Sequence, residues 1–200
     1  MSRNATYTPN ATQVVTLAEA KSHLRVDFSE DDAYINSLCM AAQETFENYC
    51  NVILMDTTIS QFCSYWTDTQ QLYHSPISGS GEASVTSIEY FVNGTLTTWP
   101  NTNYIPNIHA CPVTIWTAEN ETYPTQDVRP DAIKIIYKIG YNNIANVPDG
   151  AKQAIKILVG QWYENRQEAV VGRSVGRIPM TATYLMNKYK IATFGLPTFI

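Results

Sequence analysis

The feature that most constrains the fold is a change in the spacing of apolar residues along the chain. From 32 to 50, and again from 151 to 163, apolar residues recur every three or four positions, as on one face of an α-helix. From 52 to 140, short runs rich in Thr, Tyr, Trp, Ile and Val alternate with Gly, Pro and Asn, which is typical of strands and turns. The pattern predicts an α+β protein whose N- and C-terminal helices pack together as a bundle, with a β-rich domain inserted between them.

Capping signals mark the first helical part. Thr16-Leu-Ala-Glu19 is a capping box, in which the Thr16 hydroxyl and the Glu19 carboxylate bind backbone N–H groups at a helix start. It predicts a short helix to about Leu24. A second helix is expected to begin at Ser29-Glu-Asp-Asp32, with three acids in its first turn, where the helix dipole favours negative charge. It is expected to end near Cys50, before a left-handed Asn51.

The central region is predicted to consist of strands. Asn93-Gly94 between two β-type runs indicates a type I′ hairpin. After the strands, Pro148 is expected at the first position of a closing helix. Gly160 inside that helix costs about 1 kcal/mol relative to Ala and indicates a close backbone approach. The predicted strands cover 56–66, 70–74, 83–92, 95–99, 103–106, 112–117 and 131–138.

The ends of the chain lack regular patterns. Residues 1–15 are polar and are interpreted as a flexible arm. Residues 168–178 are interpreted as a mobile loop, and a last short helix is expected to start at Pro179. The resulting division is a flexible arm over 1–15, a helical core over 16–51 and 147–190, an inserted β-rich region over 52–146, and an apolar C-terminal tail over 191–200.

Charge is scarce and unevenly distributed. Charged residues make up 16% of the chain, against about 25% in typical proteins. Residues 1–100 carry eleven acids and three bases, whereas the chain from Pro148 onward carries three acids and seven bases. Between Arg25 and Arg129 there is no Lys or Arg. The base-free stretch would repel a phosphate backbone. The asymmetry suits a protein that stacks on neighbours or lines a path for a charged polymer.

No combination of residues argues for an enzyme. There is no Gly-rich phosphate loop ending in Lys-Ser/Thr and no strand-flanked Gly-x-Ser-x-Gly. A metal site at His109 and Cys111 would need further ligands, such as His74 and Cys63, and no cysteine pair has metal-motif spacing. We therefore expect no catalytic residue, no metal and no cofactor. The sequence contains no run of about 18 apolar residues, so it predicts no membrane span.

Aromatic residues in the predicted strands leave an alternative function open. They either fill a core or subunit interface, or form a stacking face for a ligand. The second case would make the chain a carbohydrate- or ligand-binding β module. The residues concerned are Tyr65, Trp66, Tyr73, Tyr90, Trp99, Trp116 and Tyr123.

Two segments carry a family resemblance. The first is Thr16-Leu-Ala-Glu-Ala-Lys-Ser-His-Leu-Arg-Val-Asp27, followed by Asp31-Asp-Ala-Tyr-Ile35. The second has Val147-Pro148, then Gln153-Ala154-Ile155, then Trp162-Tyr163-Glu164-Asn165-Arg166. Their order and spacing resemble the head–tail connector (adaptor) family of tailed bacteriophages and prophages, over about residues 14–190. The extended tail after Lys190 departs from that pattern. The matching positions, interpreted as structural, are Leu17, Ala20, Lys21, His23, Leu24, Arg25, Asp31, Asp32, Pro148, Ala154, Tyr163, Glu164 and Arg166.

The resemblance implies a structural virion protein. Such a protein forms a ring of twelve copies under the portal, extends the channel for double-stranded DNA without reading its sequence, and provides the attachment surface for tail, stopper or tail-terminator proteins. It would be located in the virion neck after assembly in the host cytoplasm, with no membrane partner, and it has no catalytic residues to carry over.

Two further segments are assigned to partners. The apolar tail is expected to dock on the portal or on an adjacent subunit through Phe194, Leu196, Phe199 and Ile200, because four large apolar groups on a short tail are a liability in a free monomer. Arg173 and Arg177 are candidates for facing the passing DNA or the acids of a partner. A solvated loop is the equal alternative for these two arginines.

Overall fold

The computed structural model describes residues 4–8, 12–74, 83–110, 112–165 and 180–191. These residues form four α-helices and two antiparallel sheets, so the protein is of the α+β class. The helices lie in one compact unit, drawn from 11–52 and 143–190. The strands lie in a second unit, drawn from 4–8 and 53–142.

Local signals fix the start of the first helix and the C-terminal ends of the first two helices as predicted. The capping box is present: the Glu19 N–H donates to the Thr16 hydroxyl, and the Thr16 N–H donates to the Glu19 carboxylate. Arg25 and Asn51 adopt left-handed conformations with φ of 58° and 57° at the two helix ends. The helices are α1 (Leu17–Leu24), α2 (Asp32–Cys50), α3 (Asp149–Glu164) and α4 (Met180–Asn187).

Two predicted helix starts differ from the structure. The second helix begins at Asp32, so of the three clustered acids only Asp32 lies in its first turn. Asp31 precedes the helix and accepts a hydrogen bond from Tyr163 instead. Pro148 is the residue before α3 rather than its first residue. Its carbonyl accepts the first backbone hydrogen bonds of that helix, from Ala151 and Lys152.

Apolar faces hold the helical unit together. α3 packs against α1, α2 and α4, and α2 also contacts α1 and α4. Each fully buried large apolar side chain stabilises the fold by about 1.5–3 kcal/mol. None of the helices among the described residues is long and apolar enough to span a bilayer. The buried residues of α2 and α3 are Ile35, Cys39, Ala42, Phe46, Cys50, Ala151, Ala154, Ile155, Leu158 and Val159.

Eight strands form the β unit. The five-stranded sheet has the order β1-β2-β8-β4-β5, and the three-stranded sheet has the order β3-β7-β6. The strands are β1 (Ala5–Thr8), β2 (Thr57–Cys63), β3 (Gln70–Gln71), β4 (Ala83–Val92), β5 (Thr95–Trp99), β6 (Tyr104–Asn107), β7 (Thr114–Thr117) and β8 (Ile133–Ile139).

The core of the β unit is centred on β8. This strand pairs with β2 on one side and β4 on the other. Ile133, Ile135, Tyr137 and Ile139 are fully buried, and the residues between them point to the other face, as the period-2 pattern predicts. Buried residues of both sheets belong to the same apolar cluster, so the two sheets share one core.

The β4–β5 hairpin has the predicted turn. Asn93 and Gly94 both have positive φ, 52° and 75°, as a type I′ turn requires. The structure adds a feature that the sequence pattern does not show. The Asp127 carboxylate accepts both turn N–H groups, at 2.9 Å from Asn93 and 2.8 Å from Gly94. A distant loop therefore stabilises the turn from outside.

The prediction of a flexible arm over 1–15 is wrong for part of that segment. Residues Ala5–Thr8 form β1 and pair with residues 58–61 of β2 at the sheet edge. Val14 and Val15 are buried in the helical unit. The polar, Thr-rich sequence did not indicate a strand. An edge strand needs only backbone partners and can expose its side chains, so it does not require an apolar pattern.

Two glycines of contrasting environment give the first prediction. A Cβ at Gly140 would lie 2.5 Å from the Met55 carbonyl oxygen, and its φ of 105° disfavours any L side chain. A Cβ at Gly160 would lie 3.5 Å from His23 Nε2 and 3.8 Å from Leu24 Cδ2, which are ordinary contacts. In urea unfolding, Gly140→Ala should lose about 3 kcal/mol. Gly160→Ala should be neutral or gain up to about 1 kcal/mol. Equal losses for both variants would contradict the assigned packing.

Candidate assembly surfaces

The turn between α1 and α2 is closed by a lysine of the first family-like motif. Lys21 Nζ donates to the Phe28 carbonyl oxygen and to the Asp32 carboxylate, each at 2.6 Å. Its side chain is only 18% exposed. The backbone N–H of Arg25 donates to the Lys21 and Ser22 carbonyls. The Lys21 contacts with Phe28 and Asp32 position the start of α2 against α1, whereas the Arg25 contacts close the end of α1.

The second motif is tied to the first. The Tyr163 hydroxyl near the end of α3 donates to the Asp31 carboxylate at 2.6 Å, and the Tyr163 ring lies 6.2 Å from that of Tyr34. Ala154 is fully buried on the same helix. These contacts join the start of α2 to the end of α3. The sequence placed Asp31 in a helix turn and gave no partner for it.

His23 lies where α1 meets α3. Its side chain is exposed, and its Nε2 atom lies beside Gly160. A Cβ at Gly160 would make only ordinary contacts with the imidazole and with Leu24, so the close backbone approach expected from the sequence is not found there. Leu17 is half-buried and Ala20 is buried on the same helix, while Glu164 is exposed at the end of α3.

The helical unit exposes large apolar side chains. Met180 and Tyr184, four residues apart on α4, are 89% and 79% exposed. Met40 on α2 is 57% exposed. The sequence predicts a short helix in this region but does not indicate that Tyr184 points away from the core.

The β unit exposes a second apolar surface. Ile105 of β6 and Trp116 of β7 are directly opposite in the strand register, and each is about half exposed. Ile108 follows β6 and is partly exposed. Glu119 and Glu121 come directly after β7 and are also exposed. This face of the three-stranded sheet therefore combines apolar groups with nearby negative charge.

Bases of the β unit are neutralised locally. Arg129 holds Asp131 with two hydrogen bonds at 2.6 and 2.8 Å, and its guanidinium lies 3.7 Å from the centre of the Phe91 ring. The hydrogen bond with Arg129 lowers the pKa of the Asp131 carboxyl. Lys134 pairs with Glu89 and Lys138 with Asp56. Every Lys and Arg among the described residues of this unit thus has a carboxylate within 4 Å, so the unit offers no unpaired base to a phosphate backbone.

Trp66, Tyr90, Trp99 and Tyr123 pack in or against the β core, whereas Tyr65 and Trp116 are 65% and 48% exposed. Trp66 stacks on Tyr123 at 5.0 Å, and Trp99, which is 3% exposed, lies 5.2 Å from Trp66 and 5.3 Å from Tyr104. Trp66 Nε1 also donates to the Pro124 carbonyl oxygen. These rings cover one another, whereas a carbohydrate-stacking platform needs exposed ring faces. This packing counts against the ligand-binding alternative.

Two cysteines are buried in the helical unit. Burial raises the pKa of the Cys39 thiol to about 11 and that of Cys50 to about 12. Cys50 Sγ also donates to the Met186 carbonyl oxygen at 3.3 Å. Within 4–8, 12–74, 83–110, 112–165 and 180–191, no group of three or more His, Cys, Asp or Glu side chains has metal-site geometry. Cys111 lies outside those ranges.

Several predicted site residues lie outside the described residues. They are Arg166, Arg173, Arg177, Phe194, Leu196, Phe199 and Ile200. Their assignments remain predictions.

Comparison of sequences finds one family whose model matches the N-terminal part of the chain. Residues 14–99 match the model of the phage gp6-like head-tail connector protein family. The resemblance expected from the sequence motifs is therefore confirmed over this part of the chain. No curated protein sequence shows significant similarity to the chain.

Comparison of structures identifies the fold more closely. A chain in the virion of a native gene transfer agent (GTA) particle matches with a TM-score of 0.70 and 18% identity, over 93% of this chain and 95% of that one. A chain in the neck of a native GTA particle computed with C12 symmetry matches with a TM-score of 0.68 and 18% identity, over 94% and 96%. A chain in the neck of an empty GTA particle computed with C6 symmetry gives 0.68 and 19%, also over 94% and 96%.

The Tyr163–Asp31 contact gives a second prediction. Tyr163→Phe removes a donor to a carboxylate at a partly buried site and should lower the free energy of unfolding by about 1 kcal/mol. Tyr184→Phe is the matched control, because its ring is exposed. Urea unfolding followed by circular dichroism measures both. Equal stability of the two variants would show that the hydroxyl of Tyr163 does not join α2 to α3.

The raised thiol pKa values give a third prediction. In the folded protein, Cys39 and Cys50 should stay unreactive towards a disulfide reagent at pH 8, and they should react after unfolding in guanidinium chloride. Their protonated forms stabilise the fold up to about pH 9, near the pKa of an unfolded thiol. That contribution should be lost as the pH rises towards the folded values of about 11 and 12. Fast labelling of both thiols at pH 8 would contradict their burial.

Proposed function

We propose that this chain is the head–tail connector of a tailed phage or phage-like particle. It forms a ring under the portal, extends the DNA channel and provides the attachment surface for the tail. The observation that carries the proposal is the connector-family match over residues 14–99. A fold shared over more than nine-tenths of the chain with neck and virion chains of GTA particles supports it. The C12 symmetry used for one of those necks agrees with a ring of twelve copies.

The helical unit builds the ring wall in this proposal. Residues 16–51 and 147–190 form the connector core, and residues 52–146 form a β-rich domain inserted into it. Packing of α3 on α1 and α2, together with the Tyr163–Asp31 hydrogen bond, supports this division. The β domain lies outside the wall or contacts partners on the tail side.

Double-stranded DNA passes the ring without sequence recognition. The acids of α2, a helix that carries no base, support a ring wall that repels phosphate, which keeps a polymer sliding rather than bound. The basic end of the chain, from Pro148 onward, meets other partners, and Arg173 and Arg177 face either the DNA or the acids of a neighbour. The protein is assembled in the host cytoplasm and located in the virion neck.

The tail over 191–200 docks on the portal or on an adjacent subunit. Its apolar residues Phe194, Leu196, Phe199 and Ile200 form the contact. Below the ring, a tail, stopper or tail-terminator protein completes the neck.

Electron microscopy of the chain mixed with its portal tests the proposed function. We expect rings on the portal, with the channel continuous through both. A portal that stays bare at saturating concentrations of the chain would overturn the proposal. The portal-bound sample is decisive because assembly can depend on the portal.

Truncation after Lys190 gives a fourth prediction. The shortened chain should keep its circular dichroism spectrum but lose attachment to portal-bearing heads in a co-sedimentation assay. A Thr193→Ser, Thr198→Ser variant, which keeps every apolar residue of the tail, is the matched control and should attach normally. Attachment of the truncated chain at the level of the control would remove the tail from the docking surface.

A further inference from the structure

Helix α4 is apolar on two opposite sides. It buries Ala182 and Met186 against the helical unit, while Met180 and Tyr184 project away from it. Its eight residues include no charged side chain. A surface helix needs only one apolar side for its own core, so a second apolar side is expected to be covered by another element. By contrast, α3 carries Lys152 and Lys156 off its buried stripe, as a solvated helix does.

The outer face of α2 has a complementary character. Ala33, Ser37 and Ala41 are exposed small residues on successive turns, with Met40 exposed beside them. Small residues on a helix surface leave room for large side chains of a second helix to pack between them. Glu44 is the next exposed residue along this face and carries its charge.

The charges of α2 and of the segment that follows α4 are opposite. α2 contains acids and no base, whereas α4 and the residues after it up to Lys190 contain bases and no acid. Lys188 follows Tyr184 by four residues, and Glu44 follows Met40 by four residues. When the two helices lie side by side in the same direction with Tyr184 near Met40, Lys188 faces Glu44. An exposed pair of this kind contributes little affinity but selects the register.

The α2 helix of the same chain does not fill this role. It contacts α4 through Tyr49, whose hydroxyl donates to Asn187, and through Cys50, whose thiol donates to Met186. These contacts lie at the end of α2 and on the buried side of α4. They leave both Tyr184 and Met40 exposed.

We propose that α4 of one copy packs on the outer face of α2 of a neighbouring copy. The contact joins two different surfaces, so it is heterologous and can repeat around a closed ring. This inference rests on the proposed function, for which it names the subunit interface. Its central contacts are Tyr184 with Met40 and Ala41, and Lys188 with Glu44.

Photochemical cross-linking in intact particles tests the interface. A benzophenone amino acid replaces Tyr184, or Tyr65 as a control, since Tyr65 is an exposed tyrosine in the β unit. Particles are assembled from an equal mixture of normal and heavy-isotope chains, irradiated, digested and analysed by mass spectrometry. We expect position 184 to link to residues 32–50 in mixed-isotope pairs, and position 65 not to do so. Links from position 184 only within one chain, to another segment or to another protein would overturn the interface.

Charge exchange provides a second test. Glu44→Lys and Lys188→Glu should each lower the yield of rings on the portal by at least about fivefold, since each replaces a small attraction by a repulsion at every contact around the ring. The double variant should recover most of the yield, and Asp68→Lys, at an exposed position of the β unit, should leave it unchanged. A double variant as impaired as the singles would refute the pairing. Particles that contain no copy of the chain would refute the proposed function itself, whereas particles with rings linked elsewhere would refute only the interface.

Discussion

The contact on which the helical unit depends joins two segments that are distant in sequence. In the sequence, α2 precedes strands β2–β8 and α3 follows them. Nevertheless, Tyr163 and Asp31 share a hydrogen bond of 2.6 Å, and the apolar faces of the two helices pack together. The entropy cost of closing such a long connection grows slowly with its length. A β region can therefore be accommodated between the two helical segments, provided that their shared core offsets the cost.

The two units differ in the charge of their exposed surfaces. In the β unit, the bases are neutralised by Asp131, Glu89 and Asp56, so its remaining charge is negative. In the helical unit, α4 and the outer face of α2 are poor in charge. In the proposed ring, neighbours and partners cover much of each subunit. Such a protein needs few charged residues for solubility, which accounts for the low charged fraction of the chain.

Features set by neighbouring residues were predictable from sequence, whereas features set by distant partners were not. The Thr16–Glu19 capping box, the Asn51 stop and the Asn93-Gly94 turn follow from local chemistry, and each is present. β1 was missed because its pairing with β2 depends on a strand some fifty positions away. The roles of Asp127 and Asp31 were missed for the same reason, since nothing in the local pattern names the Asn93 turn or Tyr163 as their partners. The resemblance to connector proteins could be seen from sequence because its motifs are local, while the exposed face of α4 required the packing of the whole unit.

The central claim is that copies of this chain form a closed ring on a portal. Native mass spectrometry of the portal, alone and with the full-length chain, measures this most directly. The account predicts that the portal gains one saturating mass increment equal to twelve chains of 22.5 kDa. Portals with fewer copies should be populated only early in assembly. A portal that gains no mass, or that gains single chains in a graded series without a closed end state, would contradict it.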